Sequence, residues 1–526
     1  MRFAELVSSL GGSATPGGGS GPEITGIHLD SRRVDAGELF FATQGGRYVR
    51  DARERGAAAV LCASAIPAEE LGSLPLWIHP EARKVAGLAA RALYGDPGQG
   101  MFVAAVTGTN GKTTTAHLAG QLLGLGGRRA GVLGTAGNRL ADGVLRPATH
   151  TTPDAPELQR ILREHAHLGG DAIALEASSH ALDQERLSGL RVDAAVFTNL
   201  TRDHLDYHGD FEAYARAKQR LFEGLRPGAT AVIHADDPCS GRMADAARAA
   251  GAKVLTYSAR SDSDLRASRL ETGLEGTHFD LLGMGISGAR VFLPLPGRYN
   301  VDNALAAVAC ALLSGASPAS MLAGLATVSP APGRLERVAA AGRGPRVFVD
   351  YAHSEDALLN VCRVVRQSLE REGSHALDFE SRVPQKNHEA QVAGRGPASA
   401  PRGTSGTARG GRLIVVFGCG GDRDRGKRAP MGRVVNEYAD IAIVTSDNPR
   451  SEDPERIVDE IVAGMQPPRA ERMVEIDRRS AIRRAISVAR EGDVVLIAGK
   501  GHENTQTIGT RVQEFDDRKV AAEALQ

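Results

Sequence analysis

Residues 107–114 read Thr-Gly-Thr-Asn-Gly-Lys-Thr-Thr, directly after an apolar run at 101–106 and before a helical stretch that lasts through Leu125. No other segment limits the fold as tightly. An apolar strand that ends in glycines and turns into a helix aims successive backbone N–H groups and the helix N-terminus at one point, and that point attracts phosphate. In this reading Gly108, Thr109, Asn110 and Gly111 wrap the phosphates of ATP. Lys112 reaches the β- and γ-phosphates, Thr113 ligates Mg²⁺ and Thr114 continues the binding turn. The general pattern asks for a glycine five residues before Gly111, and Val106 stands there instead. A glycine turn that only caps a helix is the plainer alternative. Strand, glycines, Lys-Thr and helix in one run favour the nucleotide.

The rest of the chain fits the α/β class that such a loop demands. Short apolar runs at 173–175, 194–197, 231–234, 347–349, 413–417, 441–444 and 494–497 alternate with helical patterns. Continuous apolar runs separated by helices predict parallel sheets covered on both faces. At 526 residues the chain is too long for one core, since domains cluster near roughly 150 residues. Breaks at Asp96-Pro97-Gly98 and near 330–333 divide it into domains 1–98, 99–332 and 333–526. Two segments are low in complexity. Residues 11–21 form a glycine-rich connector, expected to be flexible. Residues 370–412 are rich in Gly, Ser, Pro, Ala and Arg without an apolar period, and are expected to be a disordered surface insertion. Their basic character leaves an RNA-binding arm as the less favoured alternative.

Charge excludes some classes of partner. Lys+Arg and Asp+Glu are each 63, so no global field draws the chain to nucleic acid or to an anionic membrane. Anionic ligands must be held by local sites. Five scattered cysteines with no C-x-x-C pair argue against a disulfide framework or a structural zinc, and fit a reducing compartment. Residues 1–10 form an amphipathic stretch with Glu5 inside it, unlike a signal peptide, and no run approaches the ~20 apolar residues of a membrane span. The expectation is a cytoplasmic monomer with no membrane insertion and no nucleic-acid partner.

The departure at Val106 is itself informative. Thr-Gly-Thr-Asn-Gly-Lys-Thr-Thr closely resembles the phosphate loop of the Mur ligase family, to which folylpolyglutamate synthetases also belong. The resemblance implies a uridine-nucleotide-binding α/β domain at the N-terminus, a central P-loop ATPase-like parallel-sheet domain, and a Rossmann-like α/β domain at the C-terminus. It also implies roles. Glu176 would hold Mg²⁺ beside the γ-phosphate. The stretch Asp203-His204-Leu205-Asp206-Tyr207-His208-Gly209, after Asn199-Leu200, is similar to the family segment whose first histidine, here His204, helps bind a second Mg²⁺. The spacing of His204 and His208 would suit zinc on a helix, but the surroundings are turn-rich. Lys218 falls where the family carries a carbamylated lysine (N6-carboxylysine), which turns a cation into an anionic oxygen ligand. Asn300 and Asn303 resemble the adenosine-side asparagines, helix capping being the simpler role for the first. Arg334 would contact phosphate and Asp350 the ribose.

Leu29 and Ser31 resemble the contacts of the family's uridine diphosphate site. Thr151 and Thr152, with Ser178, Gln184 and Arg186, match its grip on the nucleotide-sugar dipeptide, and His150 stands where many relatives have Asn. Further on, Arg423 in Gly-Cys-Gly-Gly-Asp-Arg-Asp, the run Asp447, Asn448, Pro449 and Arg450, and Gly499 with Glu503 in Gly-Lys-Gly-His-Glu each follow an expected strand. Together they resemble the pocket of the branch that selects meso-2,6-diaminopimelate. That substrate carries a carboxylate that lysine lacks. Arg423 and Arg450 offer planar forks for it, and Glu503 can accept from the distal ammonium. The implied reaction belongs to bacterial peptidoglycan synthesis. It joins meso-2,6-diaminopimelate to UDP-N-acetylmuramoyl-L-alanyl-D-glutamate, with ATP and Mg²⁺, through an acyl phosphate. The alternatives are a ligase for lysine or another amino acid, a MurF-type or folylpolyglutamate enzyme, and a nucleotide-dependent switch without ligase chemistry.

Overall fold

The computed structural model describes residues 1–15, 20–338, 344–382 and 411–526. The chain forms two compact units. One comprises Met1–Glu271, Thr277–Pro294 and Arg298–Ala331, the other Thr272–Gly276, Leu295–Gly297 and Pro332–Gln526.

The first unit holds two sheets. The N-terminal sheet runs in the order Ser13–Ala14, Leu76–Ile78, Ala59–Cys62, Leu39–Phe41 and Ile27–His28, all parallel except the first pair. Side chains alternate across it, as the pleat requires. Leu39, Phe41 and Leu61 pack with Phe3, Leu6 and Val85 on one face, while Phe40, Val60 and Cys62 pack with Val49 and Ala52 on the other. The central sheet has eleven strands. Its parallel middle is Ala130–Gly134, Ala172–Glu176, Phe102–Thr107, Ala194–Phe197, Thr230–His234 and Lys253–Ser258. Phe102–Thr107 lies between Ala172–Glu176 and Ala194–Phe197, so the phosphate loop leaves the middle of the sheet. Antiparallel strands extend the sheet at both edges.

The second unit is a six-stranded sheet ordered Glu336–Val338, Arg346–Asp350, Val494–Ala498, Leu413–Phe417, Ile441–Val444 and Glu471–Val474. Only Glu336–Val338 is antiparallel. Leu413, Val415, Phe417 and Leu496 face helices Glu355–Arg382, Arg428–Tyr438 and Pro454–Ala463. Ile414, Val416, Val495 and Ile497 face helices Arg478–Val488 and Asp517–Ala524. Both faces are therefore apolar, which is why these strands read as unbroken hydrophobic runs. No helix among the described residues is long and apolar enough to cross a membrane.

The eight apolar runs expected to be strands are all strands, and all are parallel. Two expectations about low complexity need correction. The 11–21 connector pairs into the N-terminal sheet at Ser13–Ala14, and the Trp77 indole donates to the Gly11 carbonyl at 2.8 Å; residues 16–19 lie outside the described residues. The 370–412 stretch is helical through Arg382, because the good helix formers that begin at Glu355 continue past Glu370. At its far end Arg412 forks onto Asp493 at 2.7 and 3.1 Å, so that end is held as well. Residues 383–410 lie outside the described residues.

Burial, helped by Arg139, holds His117 on the helix Lys112–Leu125 down at about 4, below its ordinary 6.5. Above pH ~6.5 this group is neutral folded or unfolded and changes nothing. As pH falls toward 4 only the unfolded chain takes the proton, so stability is lost, up to about 3 kcal/mol. His117→Gln should flatten that acid limb in urea unfolding followed between about pH 7 and 4. An unaltered pH profile would show that His117 titrates normally.

Candidate active site

The phosphate loop is built by backbone geometry that only glycine tolerates easily. Gly108 and Gly111 have φ of 150° and 86°. A Cβ on Gly108 would collide with Thr198 Oγ1, and one on Gly111 would stand 2.5 Å from Asn303 Oδ1. The loop is tied to its neighbours residue by residue. Thr109 N donates to the Asn199 carbonyl at 2.8 Å, and Asn110 N to Asn199 Oδ1 at 2.9 Å. Thr198 Oγ1 donates to the Asn110 carbonyl at 2.6 Å. Lys112 Nζ donates to the carbonyls of Gly108 and Thr109 at 3.0 and 2.8 Å. Thr113 and Thr114 open the following helix and are buried.

Glu176, at the end of its strand and only 1% exposed, joins two parts of the site. Its carboxylate accepts from Thr113 Oγ1 at 3.0 Å and from Thr135 N at 2.7 Å. Its carbonyl accepts from Thr152 Oγ1 at 2.6 Å. From Thr152 the network continues: its hydroxyl accepts from Ser178 N at 3.1 Å, and its carbonyl accepts from Arg186 Nη1 at 2.9 Å. Arg186 also forks onto Gln184 Oε1 at 2.7 and 3.1 Å, while Thr151 is 3.0 Å from Thr135 across their hydroxyls. Burial and the charge of Arg186 lower the His150 pKa. Thr151, Thr152, Ser178, Gln184 and Arg186 thus form one polar wall beside the phosphate loop.

On the other side of the loop, Lys218 is 1% exposed and donates to the Gly108 carbonyl at 2.7 Å. Its ammonium stands 4.5 Å over the Tyr214 ring, and no carboxylate pairs with it among the described residues. Desolvation, with Lys112 adding repulsion, pushes its pKa well below the usual 10.5. That shift favours the neutral amine over the ammonium. His204, held at φ 52° before the short helix Leu205–His208, lies edge-on to Tyr214. Burial holds it at about 4, with Lys112 and Lys218 contributing and Asp203 opposing, so it too is neutral and able to donate a lone pair. His208 turns instead to Ser179 Oγ at 3.0 Å. Asn300 is inside helix Arg298–Leu313 and 4% exposed, so it does not cap that helix. It pairs with Asn303, whose Oδ1 accepts from Thr115 at 3.2 Å.

A cavity of about 290 Å³ opens where the N-terminal strands end, lined by Phe41, Thr43, Pro80, Arg83, Lys84 and Glu185 among others. Glu185 lies between Gln184 and Arg186, so this hollow borders the polar wall. Leu29 precedes the short 3₁₀ turn Ser31–Arg33, where Ser31 is buried, and Arg33 reaches Glu157 at 3.8 Å. The sequence offered no signal for Thr43, Arg83, Lys84, Thr135 or Tyr214, each isolated in the chain and brought in by folding.

In the second unit Asp350 accepts from Leu335 N and Ala352 N at 2.6 and 2.8 Å, and burial raises its pKa. Arg334 stacks 4.3 Å from the Tyr351 ring centre. The remaining predicted residues gather at the carboxyl ends of the strands. Gly420 is the pivot: a Cβ there would be 3.0 Å from Arg450 Nη1 and 3.9 Å from Arg423 Cγ. Asn448 Nδ2 donates to Glu503 Oε2 at 2.8 Å, and the fully buried Lys500 donates to the same oxygen at 2.9 Å. Glu503 was expected to stand open for a ligand ammonium; its Oε2 is already engaged. Gly499 lets Asp447 approach, since a Cβ would lie 2.6 Å from Asp447 Oδ2. Pro449 links the Asn448 and Arg450 sides.

Comparisons with known proteins bear on the family and the fold. Residues 106–311 match the Mur ligase middle domain, and residues 399–501 match the Mur ligase glutamate ligase domain. The UDP-N-acetylmuramoyl-L-alanyl-D-glutamate–2,6-diaminopimelate ligase of Solibacter usitatus is 40% identical over 511 residues, covering 96% of this chain and 94% of that protein. A solved structure of a ligase with that name superposes with a TM-score of 0.62 at 35% identity, over 95% and 94% of the two chains. The MurF ligase from Thermotoga maritima in complex with ADP has the same fold, with a TM-score of 0.60 at 17% identity over 95% and 96%.

Gly111→Ala should weaken ATP binding roughly tenfold or more, because the methyl group strains the loop and displaces Asn303. Calorimetric titration of ATP into a variant with native circular dichroism measures this. Undiminished affinity would mean that the loop does not hold the nucleotide.

Proposed function

This chain belongs to the Mur ligase family, and we propose that the clusters around Lys112, Arg186 and Arg450 are its ATP, nucleotide-peptide and amino-acid sites. The enzyme is an ATP-dependent ligase of peptidoglycan precursor synthesis that adds 2,6-diaminopimelate to UDP-N-acetylmuramoyl-L-alanyl-D-glutamate. We take the meso isomer as substrate. One observation carries the site assignment: Glu176 binds the phosphate loop through its side chain and the Thr151–Thr152 wall through its backbone. That pairing supports a γ-phosphate and a peptide carboxylate meeting at one strand end.

A carboxylate resists attack by an amine because its departing group would be oxide. Transfer of the γ-phosphoryl to the glutamyl carboxylate forms a C–O–P link and releases ADP. The amine of the amino acid then attacks the acyl carbon, the C–N bond forms, and phosphate leaves with the C–O bond. The amine surrenders a proton. Such chemistry depends chiefly on positioning and charge neutralisation. Backbone amides of residues 108–114 and the Lys112 ammonium take the phosphates. Arg186, with Thr152 and Ser178, holds the peptide end, and Leu29, Ser31, Arg83 and Lys84 serve the uridine diphosphate. Asn300 and Asn303 face the adenosine side, with Arg334 and Asp350 assigned to phosphate and ribose.

The donor set fits Mg²⁺. Thr113 and Glu176 present hard oxygens for one ion, and His204 with Lys218 would hold a second. Bound Mg²⁺ would lower the repulsion between phosphates and carboxylate. Lys218 suits this only as a carbamate: its amine, in the unprotonated form that burial favours, adds to CO₂, forming an N–C bond, losing a proton, and gaining two oxygens that share one negative charge. In the amino-acid site Arg423 and Arg450 pair with the distal carboxylate, and Asp447, Asn448, Gly499 and Glu503 shape the ammonium end. Five free thiols support a cytoplasmic setting.

Purified enzyme given UDP-N-acetylmuramoyl-L-alanyl-D-glutamate, ATP and meso-2,6-diaminopimelate should release ADP and a product heavier by one diaminopimelyl residue in mass spectrometry. Product formed equally well with lysine would remove the amino-acid assignment. Lys218→Ala should lose most turnover and regain part of it with added short carboxylic acids; normal turnover in the variant would remove the carbamate.

A further inference from the structure

Of the three described non-glycine residues in the second unit that hold left-handed backbone, Leu335, Asp422 and Arg450, the last two belong to the loops that carry the amino-acid arginines. Asp422 has φ 52° and Arg450 has φ 51°. Such conformations persist only where the surroundings over-determine them. Here the loops are laced together. Gly421 N donates to the Asn448 carbonyl at 2.9 Å, Arg450 Nη1 to the Gly421 carbonyl at 2.7 Å, and Ser451 N and Oγ to the Asp422 carboxylate at 3.1 and 2.7 Å.

Behind the lacing lies a charge that simple packing would not require. Arg428, first residue of its helix, has a side chain 1% exposed. Its fork spans both oxygens of Glu452 at 3.0 and 3.1 Å, and it also donates to Glu460 Oε2 at 2.9 Å and to the Gly420 carbonyl at 3.3 Å. Glu452 in turn accepts from Asp422 N at 2.6 Å and pairs with Arg425 at 3.0 Å. One ion pair, buried at Arg428 and partly exposed at Glu452, therefore grips both loops: Gly420 and Asp422 from the side of Arg423, and Glu452 two residues beyond Arg450. An apolar pair of similar volume would pack at comparable stability. It could not bond Asp422 N or the Gly420 carbonyl. The gain from charge at this place is orientation.

We propose that Arg428 and Glu452 are positioning residues for the amino-acid substrate, a buried clamp that sets the aim of Arg423 and Arg450 and thereby the selection of a second carboxylate. This rests on the assignment of those two arginines to the amino acid. Neither clamp residue touches substrate. Both act by holding two guanidinium groups around Gly420, where a carboxylate needs two forks at fixed separation.

The experiment uses the full-length enzyme with Glu452→Gln, which keeps the shape and an acceptor for Asp422 N, and with Arg428→Lys, which keeps the charge but loses the fork. In both, KM for diaminopimelate should rise roughly tenfold or more, as for other orienting partners of binding groups. KM for ATP should stay at its native value, and the preference for diaminopimelate over lysine should fall. Arg450→Ala, assayed alongside, separates the two levels of the argument. If Arg450→Ala leaves KM for diaminopimelate unaltered, the amino-acid assignment itself fails. If it raises that KM while folded Glu452→Gln and Arg428→Lys keep native values, the clamp alone is overturned. Equal rises for ATP and diaminopimelate in the clamp variants, with a lowered melting temperature, would mark the pair as merely structural and would also overturn it.

Discussion

The Glu176 carboxylate is the constraint on which the first unit turns. A carboxyl group this deeply buried must be matched by hydrogen-bond partners, because burying a polar group without them is costly. Its donors come from three places far apart in the chain: the phosphate loop at Thr113, the next strand's end at Thr135, and, through its carbonyl, the loop at Thr152. Satisfying one residue therefore ties the phosphate loop to the Thr151–Thr152 wall. The parallel sheet makes this possible, since Phe102–Thr107, Ala172–Glu176 and Ala130–Gly134 are neighbours that all end on the same edge.

The second unit solves an analogous problem differently. Its strands also end on one edge, where cations and carboxylates converge. Arg450 and Arg423 are held close by Gly420, and Lys500 is offset by Glu503. Arg478 is neutralised by Asp517 through a fully buried fork at 2.7 and 2.8 Å. Charges used to build the floor are thus cancelled internally. Arg423 and Arg450 bond backbone carbonyls instead, those of Asp422 and Gly421.

What the sequence disclosed follows from the range of the interactions. Buried parallel strands write themselves as continuous apolar runs, so all eight were legible. The short N-terminal strands and the edge strands at 265–293 were not, because exposed residues such as Arg266, Ser268 and His278 interrupt the pattern. The phosphate loop was legible because its function lies in backbone shape, which glycines declare locally. Even its departure has a structural reason: Val106 is still inside the sheet, paired with Glu176 and Val196, so the turn begins at Gly108. Tyr214, Thr135, Arg83 and Glu452 escaped notice, since each is an ordinary residue made functional by a partner many positions away. The 370–412 stretch was misjudged at its ends, where a helix and an ion pair to Asp493 hold what composition alone describes as loose.

The even balance of charge over the chain sharpens the meaning of where cations sit. With no net field, attraction for phosphates and carboxylates must come from places where basic groups outnumber acidic ones and water is scarce. Around the phosphate loop Lys112 and Lys218 both bond the Gly108 carbonyl, so two amines crowd one acceptor. Burial and mutual repulsion drive Lys218 toward its neutral form, which removes a cation where phosphate will bind. That loss is useful only if the amine becomes something else. A carbamate at Lys218 would replace a reluctant cation by an anion, giving Lys112 a counter-charge and the neutral His204 a partner in holding metal. On that proposal the burial that disfavours the ammonium would also leave the amine ready to add to CO₂, and would couple the fold's packing to its phosphate chemistry.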